Sequence, residues 1–480
     1  MISFVWLFYD MRQKINIFDE QILLYKIMKS LQPSEIIGSV TAPPSKSAAQ
    51  RAIAIAALCE GESLICNTGA SEDVQATIRV CKSLGAGINR MKQPEEDLRI
   101  VGGIMSPYKI LNCGESGLCL RMFNGIAAAL PFPVQLTGEG SLIKRPISII
   151  TAGMAALGVE CLSADGGLPV TIKGPIRNDE ATLDGSDTSQ LLTGVLIAAP
   201  LLQQNLHLSI RNLASKPYID LTLDIMERFG VRVDHDDYRV FHIRAGQKYI
   251  PTDYRVEGDW SGAAFMLVAG AVAGKVTLQG LERESFQADR MILNALKQAG
   301  ASLHYPGDGT IISEKQPLRS FEFDATDCPD LFPPLAVLAA NCEGESKIIG
   351  TERLHGKESD RAATLVDLFT KLGIRLRVEG NIMYIKGGQI KAAEVHSRDD
   401  HRIAMAAAIA ALADSQFLQE SYTLNKAGKA QLVQAFQRLG LRYVPSYGNF
   451  VLVHVGDAPG INLQLLKRGV IVRPVAGDGL

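Results

Sequence analysis

The stretch MERFGVRVDH, Met226–His235, reads as the end of a helix, a glycine and the start of a strand. A glycine just past a helix end takes the left-handed conformation that closes the last turn. The residues after it alternate apolar and polar, as a strand does. The same phrase returns in KLGIRLRV, Lys371–Val378, and in RLGLRYVP, Arg438–Pro445. Along the whole chain the glycines of this kind are Gly85, Gly158, Gly230, Gly300, Gly373 and Gly440, at intervals of 73, 72, 70, 73 and 67 residues. One instance means little in an α/β protein, but six at near-constant spacing predict a duplicated α/β unit, three to a lobe. GAAFMLVAGAVAG (Gly262–Gly274) and CPDLFPPLAVLAAN (Cys328–Asn341) are apolar nearly all round, so both helices belong inside the lobes.

Composition sets the bounds. A chain of 480 residues has room for two domains or one large two-lobed body with ample core. Hydrophobic residues make up 47% and charged ones 21%, ordinary for a soluble globular protein. The net charge of −2 offers nothing to nucleic acid or an anionic membrane, so any anion site must be a local cluster in a cleft. Eight cysteines contain no CxxC pair, which predicts reduced thiols in the cytoplasm and no zinc site. The N-terminal MISFVWLFYDMRQK has an apolar run too short for a bilayer and no small-residue cleavage site. Residues 1–30 are expected to be an extension without a role in the reaction, and Met28 is an equally good start.

The segment PPSKSAAQRAIAIAAL, Pro43–Leu58, collects charge at the mouth of an apolar helix. Two prolines force an extended approach and Ser45 is a good N-cap. Lys46 and Ser47 then stand where free N–H groups and the helix dipole favour an anion, with Arg51 one turn on. Capped helices with early cations also occur without any ligand, so this segment alone leaves both readings open. Further clusters follow: Gly117 and Arg121 in NCGESGLCLRM, Lys144 and Arg145 in LTGEGSLIKRP, Thr188, Ser189 and Gln190 in GSDTSQ, and Ser215 and Tyr218 in SKPY. Asp330 opens an apolar helix, GKESDR sets Lys357, Glu358 and Arg361 within one turn, and DDHRIAMA brings His401 and Arg402 to another helix start. Singly each is more often structural than functional. Together they suit a small substrate bearing phosphates and carboxylates.

PSKSAAQRA, CGESGLCLR, LTGEGSLIKRP, TSQLLTG, SKPYIDLTL, VEGDWSGAA, the CPD segment, KESDR and DDHRIAMA resemble, in order and spacing, the motifs of the 5-enolpyruvylshikimate-3-phosphate synthases. The resemblance runs from about residue 31 to about 412. It implies an α/β enolpyruvyl transferase fold of two lobes, each with three βαβαββ-type units around a pseudo-threefold axis. The first lobe would be 45–257 and the second 31–44 plus 258–412. It implies transfer of the enolpyruvyl group of phosphoenolpyruvate to the 5-hydroxyl of shikimate 3-phosphate, in chorismate and aromatic amino acid biosynthesis, by a cytoplasmic monomer without metal or organic cofactor. Carried over by motif, Lys46, Ser47 and Arg51 touch both ligands. Thr188, Ser189, Ser215, Tyr218, Asp330 and Lys357 hold shikimate 3-phosphate, and Gly117, Arg145, Gln190, Arg361 and Arg402 hold phosphoenolpyruvate. Asp330 is the expected base, with Lys46 and Glu358 as proton carriers.

Four departures qualify this. Asp187 and Thr188 stand where the family has an apolar residue and a serine, Glu115 replaces a common asparagine, and Arg353 takes the place of a shikimate-side asparagine. The fourth lies after the AALAD string, where the family has a strand, a lysine that contacts phosphoenolpyruvate and a last helix. Here LNKAGKAQL, LGLRYVPSYGNFVLV and RGVIVRPVAG resemble the C-terminal domain of histidinol-phosphate aminotransferases, so 413–480 are expected to be a fused fragment. Lys429 lies near the register of the missing lysine. The alternatives are an inactive fusion that binds shikimate 3-phosphate, or a UDP-N-acetylglucosamine enolpyruvyl transferase. The latter carries a reactive lid cysteine that GEGSLIKRP lacks.

Overall fold

In the computed structural model the described residues are 31, 34–92, 96–103, 110–145, 147–164, 166–186, 188–355, 357–412, 415–444 and 451–467. Contacts divide the chain into residues 1–32 and 33–480, and every described element belongs to the latter. The expectations for residues 1–30 and for Asp187 lie outside the described residues.

All six repeat glycines have positive φ, from 64° at Gly440 to 111° at Gly85. Each breaks a helix where the alternation predicts, although the ladder itself begins later than the apolar pattern. After Gly230, Val231 and Val233 are buried, yet strand pairing starts only at Asp234.

Five four-stranded sheets are present among the described residues, and they share one pairing scheme. Its clearest instance takes Ile110–Asn112 parallel to Pro133–Thr137, then Gly167–Lys173 and Glu160–Ala164, both antiparallel. Two of the sheets borrow their first strand from far along the chain. Tyr254–Arg255 pairs with Glu62–Cys66, and Ile36–Thr41 pairs with Gly274–Gln279. The two connections touch, with Ser45 N–H donating to the Glu257 carbonyl and Asp259 N–H to that of Pro43.

The helices that matter for the site are α1 (Lys46–Leu58), α2 (Glu72–Ser83), α3 (Gly117–Ala128), α4 (Ser148–Ala156), α5 (Gln190–Ile197), α6 (Lys216–Arg228), α7 (Trp260–Ala273), α8 (Ile292–Gln298), α9 (Phe332–Ala340), α10 (Arg361–Lys371) and α11 (His401–Leu412). Buried apolar residues form two clusters, one running from Ala48 to Val256 and one joining Ala42 to residues Trp260–Leu412. As their all-round apolarity predicts, α7 and α9 are buried on every face, and α11 packs against both. Helices α3 and α5 meet backbone to backbone, since a Cβ on Gly194 would lie 2.1 Å from the Met122 carbonyl oxygen.

The sixth repeat differs. Helix α12 (Ser415–Arg438) starts almost directly after α11, at the place where the family resemblance implies a strand and the sequence departs from it. The only pairing found beyond it among the described residues is a two-stranded ribbon, Tyr443–Val444 with Leu452–Val453, followed by α13 (Ala458–Lys467). No described side chain past Leu412 is buried. Nor is any helix of the described residues long and apolar enough to cross a membrane.

Candidate active site

The N-termini of α1, α3, α4, α5, α6 and α11, together with Lys357 and Glu358 just before α10, deliver residues to one cavity of about 380 Å³. Of the fifteen expected site residues, all but Arg361 line it.

Ser45 caps α1, its Oγ accepting from Ala48 N–H at 3.3 Å. That leaves Lys46 free to turn outward, where its Nζ meets Asp73 Oδ2 at 3.1 Å. Burial alone would raise the Asp73 carboxyl, but the Lys46 ammonium and the Ser116 hydroxyl together more than offset it and the net shift is downward. Arg51 stands deeper, 1% exposed, with Nε donating to Thr222 Oγ1 at 2.8 Å and Nη1 to the Ser47 carbonyl at 2.9 Å. Burial lowers it to about 10, so it stays charged at neutral pH and lends the wall a cation held by neutral oxygens.

On α3 the cap is Ser116, and Gly117 admits two guanidinium groups: a Cβ there would lie 2.8 Å from Arg145 Nη1 and 3.0 Å from Arg121 Nη1. Arg121 Nη1 donates to Gln190 Oε1 at 3.1 Å. Glu115, the departure in this turn, accepts from Ser141 N–H and Oγ, both at 3.3 Å. It therefore fixes the short helical turn that carries Arg145. Gln190 N–H donates to Thr188 Oγ1 at 3.2 Å, so the threonine keeps the hydroxyl's capping role.

Residues on the elements that pack around the second hydrophobic cluster complete the wall. Asp330 sits in the turn before α9 and accepts from Arg361 Nη1 at 2.7 Å and Arg402 Nη2 at 2.8 Å. Burial works to raise its carboxyl, yet Arg402, Arg361 and Lys357 hold it well below the usual carboxylate range. Arg361 lies behind the wall, 1% exposed, shared among Asp330, Glu358 and Asp400. Glu358 is likewise held down, to about 2, because Arg361 and Arg145 outweigh its burial. Burial drives Lys357 the other way, to about 8, against the pull of Asp330.

Contacts also cross from one cluster to the other. Arg145 Nη2 lies 3.7 Å from Glu358 Oε1, and Asp327 Oδ1 accepts from Ser215 N–H at 2.7 Å. Arg353 Nη2 donates to Ser215 Oγ at 3.0 Å, and its Nη1 reaches the Ser186 carbonyl. Ser215 holds φ 60°, a left-handed value that costs a non-glycine residue roughly 1–2 kcal/mol. Those two bonds from the opposite side help to hold it there.

The sequence reading passed over Gln50, Asp73, Asp289, Asp327 and Asp400. Gln50 Oε1 accepts from both Ser116 and Thr77 at 3.1 Å, bracing α1 against its neighbours. Asp400 lies inside the quoted DDHRIAMA motif and was within reach. Asp73 looks like any acidic residue in the first turn of a capped helix, and nothing local marks it. Lys429 lies within α12 and is not among the residues lining the cavity.

The family model for EPSP synthase (3-phosphoshikimate 1-carboxyvinyltransferase) matches residues 31–427. A 3-phosphoshikimate 1-carboxyvinyltransferase of Clostridium novyi (strain NT) is 37% identical over 407 residues, covering 82% of this chain and 93% of that protein. One from Aeropyrum pernix is 36% identical over 450 residues, covering 94% and 97%. Among solved structures, EPSP synthase from Acinetobacter baumannii matches with TM-score 0.66 and 26% identity, over 80% of this chain and 91% of that one. The enolpyruvyl transferase NikO from Streptomyces tendae, at 17% identity and TM-score 0.62 over 80% and 90%, shares the fold. The family match crosses the expected join near 413, and these matches give no support to a fused aminotransferase fragment. By sequence and fold, the chain belongs to the EPSP synthase (3-phosphoshikimate 1-carboxyvinyltransferase) family.

Proposed function

We propose that this chain transfers the enolpyruvyl group of phosphoenolpyruvate to the 5-hydroxyl of shikimate 3-phosphate, releasing phosphate. The observation that carries the reading is the meeting, in one cavity, of Lys46, Arg145, Lys357 and Arg402 with the carboxylates of Asp330 and Glu358. Cations from both hydrophobic clusters face one volume, as a pair of multiply charged anionic substrates requires.

Shikimate 3-phosphate is held by Ser47, Thr188, Ser189, Ser215, Tyr218 and Lys357. Phosphoenolpyruvate lies between Gly117, Arg145, Gln190 and Arg402, with Arg361 as the buried cation that orients Asp330 and Glu358. The 5-hydroxyl attacks C2 of phosphoenolpyruvate while C3 gains a proton. The tetrahedral adduct then loses phosphate, and the new methyl group returns a proton. Asp330 receives the hydroxyl proton, and Lys46 and Glu358 carry protons at C3. Gripped by two arginines, Asp330 is a poor base in the empty site. Once the donor's anionic groups engage Arg402, one of those two partners is drawn off and its basicity recovers. Each proton role is worth roughly 10²–10⁴ in rate.

The reading includes lobes of 45–257 and 31–44 plus 258–412, supported by the two apolar clusters, acting as a cytoplasmic monomer without metal or cofactor. For residues 413–480 an aminotransferase-like origin is supported by the sequence segments alone. The missing sixth four-stranded sheet among the described residues favours one second reading, a protein that binds shikimate 3-phosphate without turning over. Phosphate release by the full chain given both substrates tests the pair. Release that Lys46→Ala lowers by roughly 10²–10⁴ supports the transferase. Ligand binding without release supports the binder, and neither binding nor release overturns both.

A further inference from the structure

Behind the cleft wall lies a carboxyl group that this reaction scheme does not use. Asp289, in the helical turn Ala288–Met291 before α8, is 1% exposed. Its Oδ2 stands 3.4 Å from the Tyr218 hydroxyl, and its Oδ1 has no hydrogen-bond partner. An ionised carboxylate with a bare oxygen is costly in such surroundings, whereas a neutral acid is not. The groups that face it come from four elements: Tyr218 on α6, Asp259 and Ser261 at the start of α7, Cys328 and Asp330 before α9, and Arg402 on α11. Arg402 is already committed to Asp330 and also faces Asp259, so the one cation there is spread over several carboxyls. Burial first, and Asp330 second, push the Asp289 carboxyl up to about 7 against the pull of Arg402.

The protonation of Asp289 fixes which way the Tyr218 hydroxyl points. While Asp289 is ionised it can only accept, so the phenol donates to it and turns lone pairs toward the cleft. That face repels an anion. When Asp289 is protonated, its O–H can donate to the phenol oxygen, and the phenolic hydrogen is released toward the cavity that Tyr218 lines.

We propose that Asp289 takes up a proton from solvent when an anionic group of the substrate settles against Tyr218, and that this proton makes the Tyr218 hydroxyl a donor into the cleft. The inference rests on the reading of this cavity as the shikimate 3-phosphate site. Asp289 is a positioning residue: it acts through Tyr218, and no covalent bond changes. By linkage, a ligand that prefers the protonated form raises the carboxyl's proton affinity, so binding consumes protons above the midpoint of the free protein. Affinity then falls with rising pH, by at most about tenfold per unit.

The test is calorimetric titration of shikimate 3-phosphate into the full chain at pH 8, in two buffers of different ionisation enthalpy. The phosphate's second ionisation, near about 6, is complete there and contributes nothing. The parent should take up a measurable fraction of a proton. Lys357, held to about 8, also takes up protons when the anion binds, so Asp289→Asn should bind with clearly less uptake than the parent and a shallower fall in affinity between pH 7 and 9. Tyr218→Phe, which keeps the acid and removes the phenol, should bind more weakly and show the same reduced uptake. Equal uptake in Asp289→Asn, or binding by the parent without uptake, overturns the proposal; if Asp289→Asn does not fold, undiminished uptake in Tyr218→Phe does so. No binding by the parent would instead defeat the substrate reading. An infrared pH titration of the ligand-free protein then decides on Asp289 alone. A protonated-carboxyl band with a near-neutral midpoint, lost in Asp289→Asn, upholds its proton, and absence of that band overturns it.

Discussion

Single positions carry much of the electrostatic design. At Gly117 the absence of one carbon lets two guanidinium groups converge, at 2.8 and 3.0 Å from where a Cβ would stand. Gly117→Ala should push Arg145 and Arg121 aside, with little change in melting temperature. The loss of one charge-assisted bond would raise the KM for phosphoenolpyruvate by about tenfold or more, which steady-state phosphate release at varied donor measures. Glu358 makes a pH prediction. Its carboxyl is held at about 2 in the fold against an ordinary 4.5, so the unfolded chain binds the proton more readily between those values. Stability from this group is complete above about pH 4.5 and is lost as pH falls toward 2. Urea midpoints over that window should therefore fall less steeply in Glu358→Gln than in the parent. Equal slopes would show that the Arg361 and Arg145 pairings do not contribute in solution.

At the level of elements, helices α3 and α5 bring Arg121 to Gln190, and their contact has no room for a side chain. Gly194→Ala would place a methyl group 2.1 Å from the Met122 carbonyl oxygen. Such overpacking typically costs about 1–3 kcal/mol. Here it should also spread the two N-termini, so thermal stability and donor affinity should fall together; a melt and a KM determination on the same preparation check it. The elements also show what a sequence can disclose. Ser45, Ser116 and the glycines at 85, 158, 230, 300 and 373 are local signals, because caps and helix stops depend on neighbouring residues only. The cleft-lining motifs were legible for the same reason, most lying at or just before the first turn of a helix. Asp289, Asp327 and Asp73 were not, since their meaning comes from partners on other elements, 71, 112 and 27 residues away. The stretch after α11 differs again. Its motif reading pointed away from the family, yet the family match continues to residue 427, and a continuous helix occupies Ser415–Arg438.

Across the molecule, the core closes before the tail begins. Because no described side chain past Leu412 is buried, deleting residues 439–480 should move the melting temperature by less than about 2 °C. A calorimetric comparison of the two lengths decides this, and a larger drop would show that the tail covers core surface. The borrowed strands have a different consequence, one that concerns the order of synthesis. Ile36–Thr41 leaves the ribosome first, but its partner Gly274–Gln279 follows roughly 230 residues later, a wait on the order of 10–50 s. For all that time it is an unpaired edge on a nascent chain. Its sequence, IIGSVT, is short, carries a glycine and a serine, and remains mostly exposed even in the finished sheet, with Ile37 73% accessible. A strand that must wait alone cannot afford to be sticky, and this composition suits a segment held in reserve until its sheet exists.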